Sequence, residues 1–163
     1  MEDAKPRVVF DTGVVLQAAL SSTGPASRAL WLLDSGAVEA VVSPRLRSEY
    51  EDVLLRPAIR ARYPRLTGEM VEAALARFDA LALLVPNPPA RVRLARDPDD
   101  EPLLNLAVEL RADYIVTRDR DLLDLAAADA AFGARFPFLR IVDPVAFVRQ
   151  LAPPEGEDGG ERE

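Results

Sequence analysis

Four short apolar runs stand out against longer stretches of helical periodicity. Residues 7–10, Arg-Val-Val-Phe, are brief and β-branched, which favours a buried strand. Runs of the same kind occupy residues 38–42, 114–116 and 139–142. Between them, apolar residues recur three and four apart. Residues 14–20 are apolar on most faces, and Ser21-Ser22-Thr23-Gly24-Pro25 breaks them off. A second helix is predicted over 26–33, with Gly36 as its stop. Ser43-Pro44 is a helix start, Ser as N-cap and Pro at the first turn. The helix it opens, over 44–55, has Leu46, Tyr50, Val53 and Leu54 on its apolar face. Arg56-Pro57 ends it, and a basic segment follows. Thr67 caps the next helix, predicted over 68–84 with Met70, Val71, Leu75, Phe78, Leu81 and Ala82 inward. Pro86, Pro88 and Pro89 make a stiff connection. Asp97-Pro98-Asp99-Asp100 opens a helix whose stripe is Leu103, Leu106, Ala107 and Leu110. A short helix over 122–127 follows, and Asp143-Pro144 starts a last one over 145–151.

Strands alternating with helices imply an α/β domain on a parallel sheet, and short apolar strands are what a sheet covered on both faces needs. In such sheets function collects beyond the C-terminal strand ends. Asp11 and Asp119 stand there directly. Glu49 and Asp100 stand near the same edge if their helices cross over in the usual right-handed way. Singly, these acids have ordinary roles: Asp97, Asp99 and Glu101 suit a helix cap and its dipole, Asp119 and Asp121 a turn, Glu49 a solvated helix face. Together, four carboxylates at one edge repel one another unless something neutralises them.

Composition narrows what that something is. The 163 residues suffice for one domain, and 49% hydrophobic with 29% charged residues is ordinary for a globular one. The acidic start without a long apolar region argues against a signal peptide, no run is long enough for a membrane span, and a cytoplasmic protein is expected. There is no cysteine and no histidine. That excludes thiolate chemistry, Ser-His-Asp triads and zinc held by Cys or His. An all-oxygen site points to Mg²⁺ or Mn²⁺, ions that activate water and stabilise phosphodiester displacement. The net charge of −7 argues against nucleic-acid binding by bulk electrostatics. Part of it lies in the carboxylate cluster, which a cation would offset. Another part lies in the Pro-, Gly- and acid-rich residues 152–163, expected to be a disordered tail. The cations are almost all Arg, which suits phosphate contact. Arg56, Arg60, Arg62, Arg65 and Arg118, with Arg120 beside it, are the candidate phosphate contacts. The competing reading is a solvated, salt-bridged surface.

The segments VVFDTGVV, SPRLRSEYEDVL, RDPDDEPLLNLAVELRADYIVTRDRDLL and IVDPVAFV, in this order, resemble the PIN-domain family. The nearest branch is that of toxin components of toxin–antitoxin systems. The resemblance covers residues 1–151 and implies a three-layer fold, a short parallel sheet of four to five strands flanked by helices. It implies a Mg²⁺- or Mn²⁺-dependent endoribonuclease whose products carry 5′-phosphate and 3′-hydroxyl ends. By motif, Asp11, Glu49, Asp100 and Asp119 are the catalytic acids, and Asp11, Asp100, Asp119 and Asp121 the metal ligands. Asp100 fits the spacing to Leu104 and Ala107 better than Asp99 does. Thr117 supplies a hydroxyl beside the site. Implied partners are single-stranded or structured RNA, a small antitoxin protein and a second copy of the chain. The chain departs from the family at Gly13, where Asn usually supports the site by hydrogen bonding. That departure motivates the alternative, a catalytically weakened PIN-like module binding RNA or protein. Phe10-Asp11-Thr12-Gly13 also matches the aspartic-protease signature, but those enzymes are β-rich and need two such motifs. A phosphatase with an Asp nucleophile would want a second Asp where Gly13 stands.

Overall fold

The computed structural model describes residues 4–94 and 97–151. The expected tail, 152–163, lies outside the described residues. Five parallel strands form one sheet in the order β3-β2-β1-β4-β5. They are β1 (Arg7–Phe10), β2 (Glu39–Val42), β3 (Leu83–Leu84), β4 (Tyr114–Val116) and β5 (Arg140–Val142). The helices between β1 and β2 are α1 (Thr12–Leu20) and α2 (Pro25–Asp34). Those between β2 and β3 are α3 (Pro44–Leu54), α4 (Pro57–Arg62) and α5 (Gly68–Leu81). A 3₁₀ turn, Pro98–Asp100, leads into α6 (Glu101–Glu109) before β4. Then come α7 (Arg120–Leu123), α8 (Leu125–Ala128) and α9 (Ala130–Arg135), and after β5, α10 (Pro144–Leu151).

The central strand β1 buries Val8, Val9 and Phe10 completely. Phe147 of α10 meets the Phe10 and Tyr114 rings edge-on, which ties the last helix to the two middle strands. Tyr50 of α3 is also fully buried, edge-on to Phe78 of α5. Its hydroxyl donates to the Phe10 carbonyl. That bond joins the α3 turn carrying Glu49 to the residue before Asp11.

The predicted caps form. Ser43 Oγ accepts from Leu46 N–H, Thr67 from Met70 N–H, and Asp143 from Ala146 N–H. The helix predicted over 68–84 is shorter. It ends at Leu81, and Leu83-Leu84 form the edge strand. Met70 and Leu81, expected inward, are exposed. The heptad-like spacing continued past the point where the chain must turn to pair with β2, and pairing won. The basic segment after Pro57 forms α4, a helix with no buried residue, so it left no apolar stripe to read.

The strand order reverses beside β1. The chain runs outward through β2 and β3, then returns to β4 on β1's other side. Loops leaving β1 and β4 therefore part in opposite directions, opening the crevice where ligands bind in open α/β sheets.

Candidate functional site

Asp11 is the first residue after β1, and its backbone N–H extends the ladder to the Val116 carbonyl at 2.9 Å. The strand thus places its α-carbon, and helix α1 then turns its side chain. Oδ1 accepts from Thr12 N–H at 2.8 Å, capping α1. Oδ2 accepts from Thr117 Oγ1 at 2.7 Å. Thr117, the first residue after β4, is fully buried and in turn accepts from Asp119 N–H at 3.0 Å. Asp119 caps α7 by accepting from Asp121 N–H at 2.9 Å. One chain of hydrogen bonds therefore links the ends of the two central strands through Thr117.

Glu49 lies on the second turn of α3, and Asp100 at the junction of the 3₁₀ turn with α6. Their electrostatics place all four acids in one field. Burial pushes the Asp11 carboxyl above its ordinary range, opposed by the Thr117 and Thr12 hydrogen bonds and assisted by Asp119. Burial raises Glu49 too, and Asp11 and Asp99 add to it, while Thr12 and Arg45 lower it. Asp100 is moved furthest, to about 6, by partial burial and by Asp97, Asp119, Asp11 and Asp121. Among the described residues no salt bridge involves any of these acids.

Asp11 and Asp119 thus stand at the ends of β1 and β4, Asp11 acts on both Glu49 and Asp100, and Asp119 and Asp121 act on Asp100. Asp97 has the cap role expected of it, accepting from Asp99 N–H at 3.0 Å. Glu101 stands in the first turn of α6, as its expected dipole role requires, and it also accepts from Leu94 N–H at 2.6 Å, tying the preceding segment to α6. Buried Asn105 does the same one turn on, its Oδ1 accepting from the N–H groups of Arg91 and Val92. Gly13 is exposed, and a Cβ built on it meets nothing within 4 Å. The arginines divide. Arg118 flanks Asp119, but Arg56, Arg60, Arg62 and Arg65 stand beyond the far end of α3. Arg56 is seven residues past Glu49, about 10 Å along a helix axis. The cation that acts on the acid set is Arg45, which the sequence reading passed over. Its signal was the four-residue spacing to Glu49 on α3, which puts both on one helical face.

Whether this set suits a cation can be judged from its chemistry. Carboxylates that make no ion pair among the described residues are hard oxygen donors, the kind that divalent Mg²⁺ or Mn²⁺ takes. Buried Thr12 sets its hydroxyl beside Glu49, whose proton affinity it lowers, without reaching full hydrogen-bond geometry. Among the described residues, however, no three acids are already drawn together at metal-holding spacing. The donor set fits a divalent ion, and its side chains must close inward to hold one.

A family model for the PIN domain matches residues 7–121, from the start of β1 to Asp121. The chain is also 27% identical over 151 residues to the uncharacterized protein MJ1680 of Methanocaldococcus jannaschii, spanning 93% of this chain and 95% of that protein. PIN domains are in general nucleases and typically use divalent metals. No helix among the described residues is long and apolar enough to cross a membrane. With more than half its length inside the family match, and with the five-stranded parallel sheet, the chain belongs to the PIN-domain family.

Proposed function

We propose that residues 1–151 form a Mg²⁺- or Mn²⁺-dependent endoribonuclease that hydrolyses RNA phosphodiester bonds, the toxin component of a toxin–antitoxin pair. The observation that carries the nuclease reading is the hydrogen-bonded line from Asp11 through Thr117 to Asp119 across the ends of β1 and β4, with both acids acting on Asp100. The toxin role rests on motif resemblance alone.

Asp11, Asp100, Asp119 and Asp121 are the residues that would hold the ion. When bound, such an ion offsets their charge, polarises the phosphoryl oxygens and acidifies water. The chain's own part is positioning and proton transfer. Thr117 and the Thr12 N–H fix both oxygens of Asp11. Glu49, whose proton affinity burial raises, takes the proton of the attacking water. The water oxygen bonds to phosphorus, the bond from phosphorus to the 3′ oxygen breaks, and the proton passes to that oxygen. The products carry 5′-phosphate and 3′-hydroxyl ends. Arg118 contacts a backbone phosphate near the cut, and Arg56, Arg60, Arg62 and Arg65 contact a longer RNA farther out. The test is cleavage of single-stranded RNA with Mg²⁺ or Mn²⁺ by the wild type, Asp11→Asn and Asp100→Asn. Equal activity in all three would end the metal-nuclease reading.

A second reading, a weakened PIN-like module binding RNA or protein, is favoured by Gly13. The exposed position and its open surroundings make the contrast measurable. Gly13→Asn should fold without strain. It should gain about 0.5 kcal/mol from reduced backbone freedom in the first turn of α1. If the missing amide limits catalysis, the variant cleaves RNA faster, by about tenfold for one recovered hydrogen bond worth about 1.4 kcal/mol. Unchanged cleavage would show that the site does not lack that side chain.

A further inference from the structure

A cavity of about 270 Å³ lies between the two elements that carry Glu49 and Asp100. Ser43 and Arg45 at the start of α3 form one side, and Pro98, Glu101 and Pro102 at the start of α6 form another. Asn87 and Pro88, from the connection after β3, close it. It is smaller than the roughly 300–1,000 Å³ of clefts that take drug-sized ligands, so it suits a single ring system. Pro88, Pro98 and Pro102 supply rigid apolar surface. The polar groups are few, and their directions are set. Asn87 Oδ1 accepts from Arg45 N–H at 3.0 Å, which commits the amide oxygen and leaves its NH₂ group as the available donor. Glu101 Oε1 accepts from Leu94 N–H, which leaves its second oxygen as an acceptor. Arg45 makes no ion pair among the described residues, and its charge acts on Glu49 one turn farther along α3.

We infer that this cavity is a nucleobase pocket, taking the base next to the phosphate held at the carboxylates. The inference rests on the ribonuclease reading for its substrate class. Arg45 and Glu101 leave the cavity without strong net charge, which suits a neutral heterocycle better than a phosphate. RNA is recognised chiefly by unstacked bases laid on flat side chains and hydrogen-bonded at their edges. Donors outnumber acceptors here: the Asn87 amide and the Arg45 fork face one carboxylate oxygen. Bases whose pairing edge offers two acceptors and one donor, uracil and cytosine, therefore fit better than guanine, with two donors, or adenine, and the small volume favours the single-ring bases too.

The experiment titrates the full chain carrying Asp119→Asn, which silences cleavage from the opposite side of the site, with the four nucleoside 5′-monophosphates and with ribose 5-phosphate. UMP and CMP should bind at least about tenfold more tightly than AMP, GMP or the sugar phosphate, the worth of roughly 1.4 kcal/mol. Asn87→Ala should remove most of that preference. Asn87→Asp keeps the acceptor for Arg45 N–H but replaces the NH₂ donor by a charged acceptor, and should move the preference toward GMP. Asn87 is exposed, so both variants should melt with the parent protein. Equal binding of all four nucleotides and ribose 5-phosphate, absence of binding, or a preference untouched by both substitutions would overturn the inference. Because cleavage is not the readout, a wild type that fails to cut RNA would count against the nuclease reading without deciding this one.

Discussion

Asp100→Asn is expected to abolish cleavage and, at neutral pH without metal, to make the protein more stable. The two effects share one cause. Partial burial and the fields of Asp97, Asp119, Asp11 and Asp121 hold the Asp100 carboxyl near 6, against an ordinary value of 3.8. An acid whose folded pKa is raised stabilises the fold fully only below its unfolded value. That contribution is lost as pH rises through about 6, so at pH 7 the folded protein carries a charge it resists. The upshift would be worth nearly 3 kcal/mol if unscreened. Asp100 is only partly buried, and screening reduces this to about 1 kcal/mol. Asn removes the charge, so at pH 7–8 the metal-free variant should melt about 2–4 °C higher than the wild type, with the gap closing below pH 4. Mn²⁺ or Mg²⁺ should reverse the order by raising the wild-type midpoint more than the variant's. Cleavage should fall about 100-fold or more, since a metal's stabilisation of the transition state amounts to several kcal/mol. Wild-type activity should decline as pH drops through about 6. A variant melting below the wild type at pH 8 would contradict the assignment of Asp100 to a strained acid cluster.

The largest loss of stability is expected at Tyr50. Its side chain is fully buried, packs edge-on to Phe78, and donates its hydroxyl proton to the Phe10 carbonyl. Tyr50→Phe keeps the ring and strands that carbonyl, at a cost of about 1–3 kcal/mol. Tyr50→Ala also leaves a cavity, and about 3–5 kcal/mol should go, much of the stability of an ordinary domain. Denaturant midpoints read both. Because the bond spans from α3 to the strand end before Asp11, Tyr50→Phe should also slow cleavage while RNA binding persists. A Phe variant as stable as the wild type would show that the hydroxyl does not pin α3 to β1.

Much of the site could be read from the sequence because its acids sit at element boundaries. Asp11 follows an apolar β-branched run, Asp119 follows another, and Asp100 precedes a regular stripe of leucines. Caps such as Ser43-Pro44 and Asp143-Pro144 depend on local chemistry and formed as expected. Less was legible where long-range pairing overrode local pattern. Leu83 and Leu84 continue a helical periodicity, yet they pair with Val41 and Val42 as the sheet's edge. Arg45 was missed because its role depends on which way the α3 face turns once Tyr50 is buried.

By itself the sequence determined the alternation of strands and helices, the absence of thiol and imidazole chemistry, and which carboxylates lie near strand ends. These depend on residue type and on neighbours a few positions away. Only the tertiary structure decided that β4 returns beside β1, since strand order is a long-range choice. That return lets Thr117 bridge Asp11 to Asp119, puts Asp100 in their field, and leaves Arg56 to Arg65 beyond the far end of α3. It also set the connection after β3 against the start of α3, closing a small cavity beside the acids that no local pattern in the chain foretells.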